Sequence, residues 1–203
     1  MSSTADPTPA DVESQHVLPP TFLLGQNRVL SLVAQGADLG QILLEFCHVV
    51  EFALPETRCC VMMLDPSDRT LRVGAAPSLP GVFVEAIDGL AAGSAPGSCS
   101  AAIHRGETVM TTDMRTGSVW EGLRDTVEAT PLTSCWSAPI RGIEVPTSKG
   151  REEVQILGTV AFYFDAPRQP ARRDLMVLEL AAALAGRAIT AGRVQERGGR
   201  HEL

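Results

Sequence analysis

Two runs decide the fold: Ser134-Cys135-Trp136-Ser137-Ala138-Pro139-Ile140 and Leu157-Gly158-Thr159-Val160-Ala161-Phe162-Tyr163-Phe164. Neither contains a charged residue, and each is short enough for a strand buried on both faces. Side chains alternate along a strand, so Cys135, Ser137 and Pro139 point one way and Trp136, Ala138 and Ile140 the other. In the second run Leu157, Thr159, Ala161 and Tyr163 oppose Ile156, Gly158, Val160, Phe162 and Phe164. The second set is the more apolar and is expected to meet helices. The hydroxyls of Thr159 and Tyr163 are left for the opposite face.

Working outward, Val154–Phe164 follows a polar loop, Gly142–Glu153, and Thr133–Arg141 lies before it. After Pro167 and Pro170, Arg172–Arg193 reads as a long helix with an apolar stripe of Leu175, Leu178, Ala182, Ala185 and Ile189. At the other end, Phe22–Ala34 reads as a helix stopped by Gly36. Asp38 is an N-cap for a second helix through Phe52, burying Ile42, Leu43, Phe46, Val49 and Val50. Arg58–Leu64 and Thr70–Ala76 flank Asp65-Pro66-Ser67-Asp68, a hairpin turn. Pro80–Gly89 is predicted helical, Leu90–Gly97 a loop, and Cys99–Arg105 two turns of helix capped by Ser98 and stopped by Gly106. Thr108–Thr112 is a short strand, and Asp113–Ala129 is mixed loop and short helix.

This order predicts an α+β fold: a mainly antiparallel sheet, N- and C-terminal helices on one face, and a cover of short helices and loops on the other. Residues 1–20 are expected to be a disordered tail, 21–193 the domain and 194–203 a flexible tail.

Composition narrows the function classes. The chain has 203 residues, 44% of them hydrophobic, and a net charge of −7. No basic cluster marks a nucleic-acid face. Lys149 is the only Lys beside sixteen Arg, a compositional bias. The N-terminal stretch lacks a signal peptide's apolar core, and no apolar run reaches membrane-spanning length, so the expected location is cytoplasmic, with no membrane partner. Five scattered cysteines without a C-x-x-C pair suit reduced thiols.

Several blocks resemble a GAF domain, the small-molecule-binding sensory module. They are Ala76-Pro77-Ser78-Leu79-Pro80, Asp88-Gly89-Leu90, Gly97-Ser98-Cys99 with Ala101-Ala102, Val119-Trp120, and the two opening runs. The resemblance covers roughly 26–191 and is to a bacterial subgroup often joined to diguanylate cyclases, phosphodiesterases and histidine kinases. Ser100 stands where that subgroup usually has Gly. Ala129-Thr130-Pro131 replaces its usual His-Gly-Leu, and the Gly142–Glu153 loop is longer than usual. With no output domain attached, the resemblance implies a stand-alone sensor, a homodimer through its terminal helices, and a separate output partner.

The candidate ligand-binding residues are Ser98, Cys99, Ser100, Trp120, Cys135, Trp136, Ser137, Thr159 and Tyr163. Cys99 and His104 lie about 140° apart on a helix and form no dyad. Cys99 is either a small packed thiol or a thiol activated at a helix N-terminus. The amides of Cys99, Ser100 and Ala101 either bind an anionic or carbonyl group or are capped by Ser98. Trp120 and Trp136 line a cavity or belong to the core; Tyr163 contacts ligand or faces solvent. His48 is expected at an exposed helix edge. No catalytic motif or metal-ligand pair is apparent.

The sequence therefore points to a module that binds a small molecule or ion, rather than an enzyme. The enzymatic alternative is a thiol-dependent free methionine sulfoxide reductase, also built on the GAF fold, through Cys99 and Cys135. A haem or redox sensor is another, because a lone axial ligand such as His104 or Cys99 leaves no spacing signature. A third reading is an interaction protein whose pocket is filled by Trp120, Trp136, Met62 or Phe83.

Overall fold

Pro20 opens the first helix, its ring presetting the backbone of a turn whose amides lack partners anyway. Helix α1 spans Pro20–Ala34, and the amides of Gly36 and Ala37 close it on the Val33 and Leu32 carbonyls. The Asp38 carboxylate then accepts from the Gly40 and Gln41 amides at 2.8 and 3.3 Å, the expected cap of α2, Leu39–Ala53. The structure, a computed structural model, describes residues 18–93, 95–142, 145–146, 152–153 and 155–199.

Strands β1 (Arg58–Leu64) and β2 (Thr70–Ala75) form the expected hairpin. In its turn, hydrogen bonds from Ser67 and Thr70 hold the Asp65 and Asp68 carboxyls below their ordinary values. Next come α3 (Gly81–Ile87), β3 (Leu90–Ala91), α4 (Ser98–Arg105) and β4 (Val109–Thr111). A 3-10 turn over Ser118–Leu123 runs into α5 (Arg124–Glu128). The chain ends with β5 (Ser134–Arg141), β6 (Val145–Pro146), β7 (Glu152–Glu153), β8 (Ile156–Phe164) and α6 (Arg172–Gly199).

The predicted α+β architecture is the one observed. Six strands pair antiparallel in the order β3-β2-β1-β8-β5-β4. One face packs against α1, α2 and α6 through a core including Phe46, Val50, Trp136, Phe162, Leu178 and Ile189. The other lies beneath α3–α5 and their loops, in a core including Met62, Leu71, Phe83, Trp120 and Tyr163.

Three local readings need correction. Residues Leu90 and Ala91, expected in a loop, pair with Leu71 and Thr70 as a sheet edge. The loop before β8 contains the β6–β7 hairpin, pairing Val145 with Glu153 and Pro146 with Glu152. The predicted faces of Ile156 and Leu157 are exchanged, because pairing jumps from Ile140–Gly158 to Arg141–Ile156. That bulge turns Leu157 toward the helices and Ile156 toward the cover.

Gly158 marks the bulge for a packing reason: a Cβ there would collide with the Met62 carbonyl on β1. Gly158→Ala forces backbone apart in the middle of the sheet and is expected to cost about 1–3 kcal/mol. Urea unfolding measures it; an unchanged midpoint contradicts the packing argument.

The α6 stripe is also reassigned. Leu178, Ala182, Ala185 and Ile189 are buried against this chain's own sheet, so they are not free for a dimer contact. Helical periodicity reports that a face is buried, not against which chain. By length and composition α6 is apolar enough to cross a membrane, contrary to the expectation from the apolar runs, yet more than half of it is packed inside the fold. It continues to Gly199, past the expected start of the C-terminal tail. Of the expected tails, residues 1–17 and 200–203 lie outside the described residues.

Candidate functional site

Strands β5 and β8 bring the predicted residues together on the cover face. Their register sets Cys135 beside Tyr163, Ser137 beside Ala161 and Pro139 beside Thr159. Helix α4 lies above them and lowers Cys99 into the group. The Cys99 Sγ is 3.4 Å from Ser137 Oγ and 3.9 Å from Tyr163 Oη, and Cys135 Sγ is 3.5 Å from Ser137 Oγ. Tyr163 is therefore buried rather than at a solvent edge. Its ring meets Phe83 edge-on at 5.3 Å and Trp120 at 6.4 Å.

Ser98 does not cap α4. The cap position is Gly97, at φ 105°, and Ser98 is the first helical residue with its side chain turned inward. There its hydroxyl pairs with Thr111 Oγ1 at 3.0 Å. The Trp120 indole N–H donates to both hydroxyl oxygens, at 3.1 and 3.2 Å. Thr111 was missed in the sequence; its only signal is a position on the buried phase of an edge strand. Ser100 is also buried and bonds the preceding segment: it accepts from the Gly93 amide at 2.8 Å and donates to the Ala91 carbonyl at 3.3 Å. The Thr159 hydroxyl is buried with no hydrogen-bond partner among the described residues.

Trp136 leaves the candidate set. It lies across the sheet in the helix-side core, 4.4 Å from the Phe164 ring, with the Arg168 guanidinium over its face at 5.5 Å. The alternation that sends Cys135 and Ser137 to the cover requires this.

Cys99 is buried while His104, on the opposite side of α4, is exposed, as their angular separation demands; His48 is exposed too. Burial pushes the Cys60 and Cys135 thiols and the Tyr163 phenol well above their ordinary values. Neutral groups of this kind pack and share hydrogen bonds. Nucleophilic attack needs a thiolate, which this environment disfavours at Cys135, so the reductase alternative is not favoured.

The space left is small. A cavity of about 10 Å³ borders Met62, Trp120, Cys99 and Tyr163, room for about one water. Cofactor-sized ligands occupy pockets of roughly 300–1,000 Å³, so haem does not fit the site as closed. Among the described residues, no three His, Cys, Asp or Glu side chains are placed to hold a metal ion. A larger groove of about 590 Å³ lies elsewhere, between α1 and α2, bordered by exposed Leu24 and Phe52.

Comparison with known proteins gives three results. The sequence model of the GAF domain family matches residues 36–190. The methyl sulfide methyltransferase-associated sensor of Methanosarcina acetivorans is 32% identical over 168 residues, 83% of this chain but only 16% of that protein's length. Among solved structures, the GAF domain of a Coxiella burnetii phosphoenolpyruvate-protein phosphotransferase superposes with a TM-score of 0.64 at 17% identity, covering 87% of this chain and 97% of that one. A Neisseria meningitidis free methionine-R-sulfoxide reductase in complex with its substrate matches with a TM-score of 0.64 at 16% identity, covering 94% and 95%. At such identities these structures attest the fold.

Proposed function

Because this chain belongs to the GAF domain family, we propose that it is a sensory module in which a small molecule held between sheet and cover alters the packing of the terminal helices. The observation that carries the reading is the layering at β5 and β8. Cys135, Ser137 and Tyr163 face the cover cluster, while their neighbours Trp136, Ala138 and Phe162 pack with the terminal helices. Helix α6 approaches β5 so closely that a Cβ at Gly186 would strike the Arg141 carbonyl. A displacement at the cover thus has a short, stiff route to α6. The driving force is differential ligand affinity for two packings, not turnover.

The name of the Methanosarcina relative, a sensor, supports this assignment. Five free cysteines suit a reducing cytoplasm. The signal passes to a second copy, or to a separate output protein, through the terminal helices. With the α6 stripe buried, the contact falls on α1 and α2, where Leu24 and Phe52 are 72% and 75% exposed.

One observation favours a second reading, an interaction protein that needs no ligand: Trp120, Phe83 and Met62 nearly fill the cover side. Native mass spectrometry and sedimentation velocity on protein purified without added ligand separate the two. The sensor reading expects a co-purifying small molecule whose removal shifts the monomer–dimer equilibrium, and a Phe52→Glu variant that is monomeric with unchanged melting temperature. A dimer that carries no added mass and persists in Phe52→Glu contradicts it.

A further inference from the structure

We propose that Cys47 and Cys59 form a redox lock: a peroxide joins them in a disulfide that fixes helix α2 to the sheet. The lock needs no ligand at the cover and stands apart from the sensor reading. Both residues lie in the helix-side core, Cys47 on α2 and Cys59 on β1, and neither is exposed. Alternation separates Cys59 from its neighbour Cys60, which faces the cover with Cys99 and Cys135. On α2, Cys47 and Glu51 are one turn apart and share a face. The Glu51 carboxylate accepts from the Cys59 amide at 2.9 Å and from the Ser78 hydroxyl at 2.7 Å, which holds this part of α2 over the start of β1. The Cys47 thiol donates to the Ala75 carbonyl on β2 at 3.7 Å, and its sulfur accepts from the Cys59 thiol beside it. A disulfide sets its sulfurs about 2 Å apart, so the pair has only the gap between touching atoms to close.

In the docked fold the pair is inert. Burial and the neighbouring thiol keep Cys59 protonated, well above its ordinary value, and attack on a peroxide needs a thiolate. Reaction therefore waits on local opening, in which the C-terminal half of α2 lifts from β1 and water reaches both sulfurs. The Cys59 thiolate then attacks one peroxide oxygen. The O–O bond breaks, the leaving hydroxide takes up the proton Cys59 released, and a sulfenic acid remains. The Cys47 sulfur next attacks the Cys59 sulfur and gives up its own proton. The S–O bond breaks, and the departing hydroxide with that proton makes a second water. Two thiols lose two electrons, and hydrogen peroxide gains them. Because the sulfurs adjoin in the docked fold, the product draws α2 back onto the sheet and holds it there. Exchange with a dithiol reverses the lock. The helix so fixed carries the exposed Leu44 and Phe52, so oxidation stiffens the surface it presents.

The reduced full chain is treated with hydrogen peroxide, its remaining thiols are alkylated, and crosslinked peptides are mapped by mass spectrometry. A disulfide between positions 47 and 59 is expected. Variants separate Cys59 from the adjacent Cys60: Cys60→Ala should keep the crosslink, whereas Cys47→Ala and Cys59→Ala should lose it. Cys47→Ser and Cys59→Ser are the second variants should these fold poorly. Hydrogen exchange of the α2 amides is then compared in the oxidised chain and in the same sample after dithiothreitol. It is expected to be about 100-fold slower in the oxidised chain, the effect of closing a ring of this length, and to recover on reduction. No crosslink, a crosslink that maps only to Cys60, Cys99 or Cys135, or products confined to sulfinic and sulfonic acids overturns the pairing. A disulfide between 47 and 59 that leaves α2 exchange unchanged overturns the lock.

Discussion

Raising the pH from 8 to 10 is expected to lower the stability of the folded chain by about 4 kcal/mol, with much the same secondary structure until it unfolds. The cause is three thiols, Cys59, Cys60 and Cys135, each wholly buried and pushed above the ordinary value of 9.0, chiefly by desolvation. In the unfolded chain these groups ionise near that value; in the fold they stay protonated. Above it the unfolded state binds fewer protons, so stability falls with rising pH by about 1.4 kcal/mol per unit for each thiol. The loss continues until the folded thiols themselves ionise. Tyr163, raised from 10.0 by burial, adds to it further up. Urea titrations under reducing conditions at pH 8, 9 and 10 measure the slope. Cys135→Ala should flatten it by about a third, and a wild-type midpoint constant across this range contradicts the neutral burial of the thiols.

Trp120→Ala is expected to cost about 3–5 kcal/mol, at the upper end for a core truncation. Trp120 joins parts of the cover that are distant in sequence. Its ring stands against Phe83 and Tyr163, and its N–H serves Ser98 and Thr111. Trp120→Phe separates the two contributions. The Ser98 and Thr111 hydroxyls still hold each other at 3.0 Å, so losing the N–H should cost only about 1 kcal/mol. Trp136 provides the contrast: its indole nitrogen is buried without a partner among the described residues, and Trp136→Phe forfeits volume but no hydrogen bond. Denaturant unfolding of the three variants is the measurement. A Trp120→Ala loss below 1 kcal/mol is incompatible with the cover being a packed core.

Much of the site was legible in strand alternation, which sends Cys135, Ser137, Thr159 and Tyr163 to one face. The same rule placed Trp136 on the other face, so proposing it as a ligand contact set its aromatic character above its phase. Ser98 misled for a different reason. A serine before a helix is a cap by local statistics, but the positive φ of Gly97 makes Ser98 the first helical residue and turns its hydroxyl inward. Nothing local announces that its partners are Thr111 and Trp120, 13 and 22 residues away. The bulge at Gly158 was equally hidden, because it arises from the approach of a neighbouring strand.

The resemblance of this chain's motif blocks pointed to the family. Beyond that, the sequence by itself determined the order of the main elements and the antiparallel sheet with helices on one side and a cover on the other, because periodicity and turn chemistry act over a few residues and need no knowledge of partners. Only the tertiary structure decided that the α6 stripe is spent on this chain's own core, that Ser100 bonds the Gly93 amide and the Ala91 carbonyl, and that the cover nearly closes over its cavity. Those outcomes depend on how side chains far apart in sequence share one volume. Whether a thiol, a phenol and an indole leave room between them is a property of their packing together, not of any one stretch of the chain.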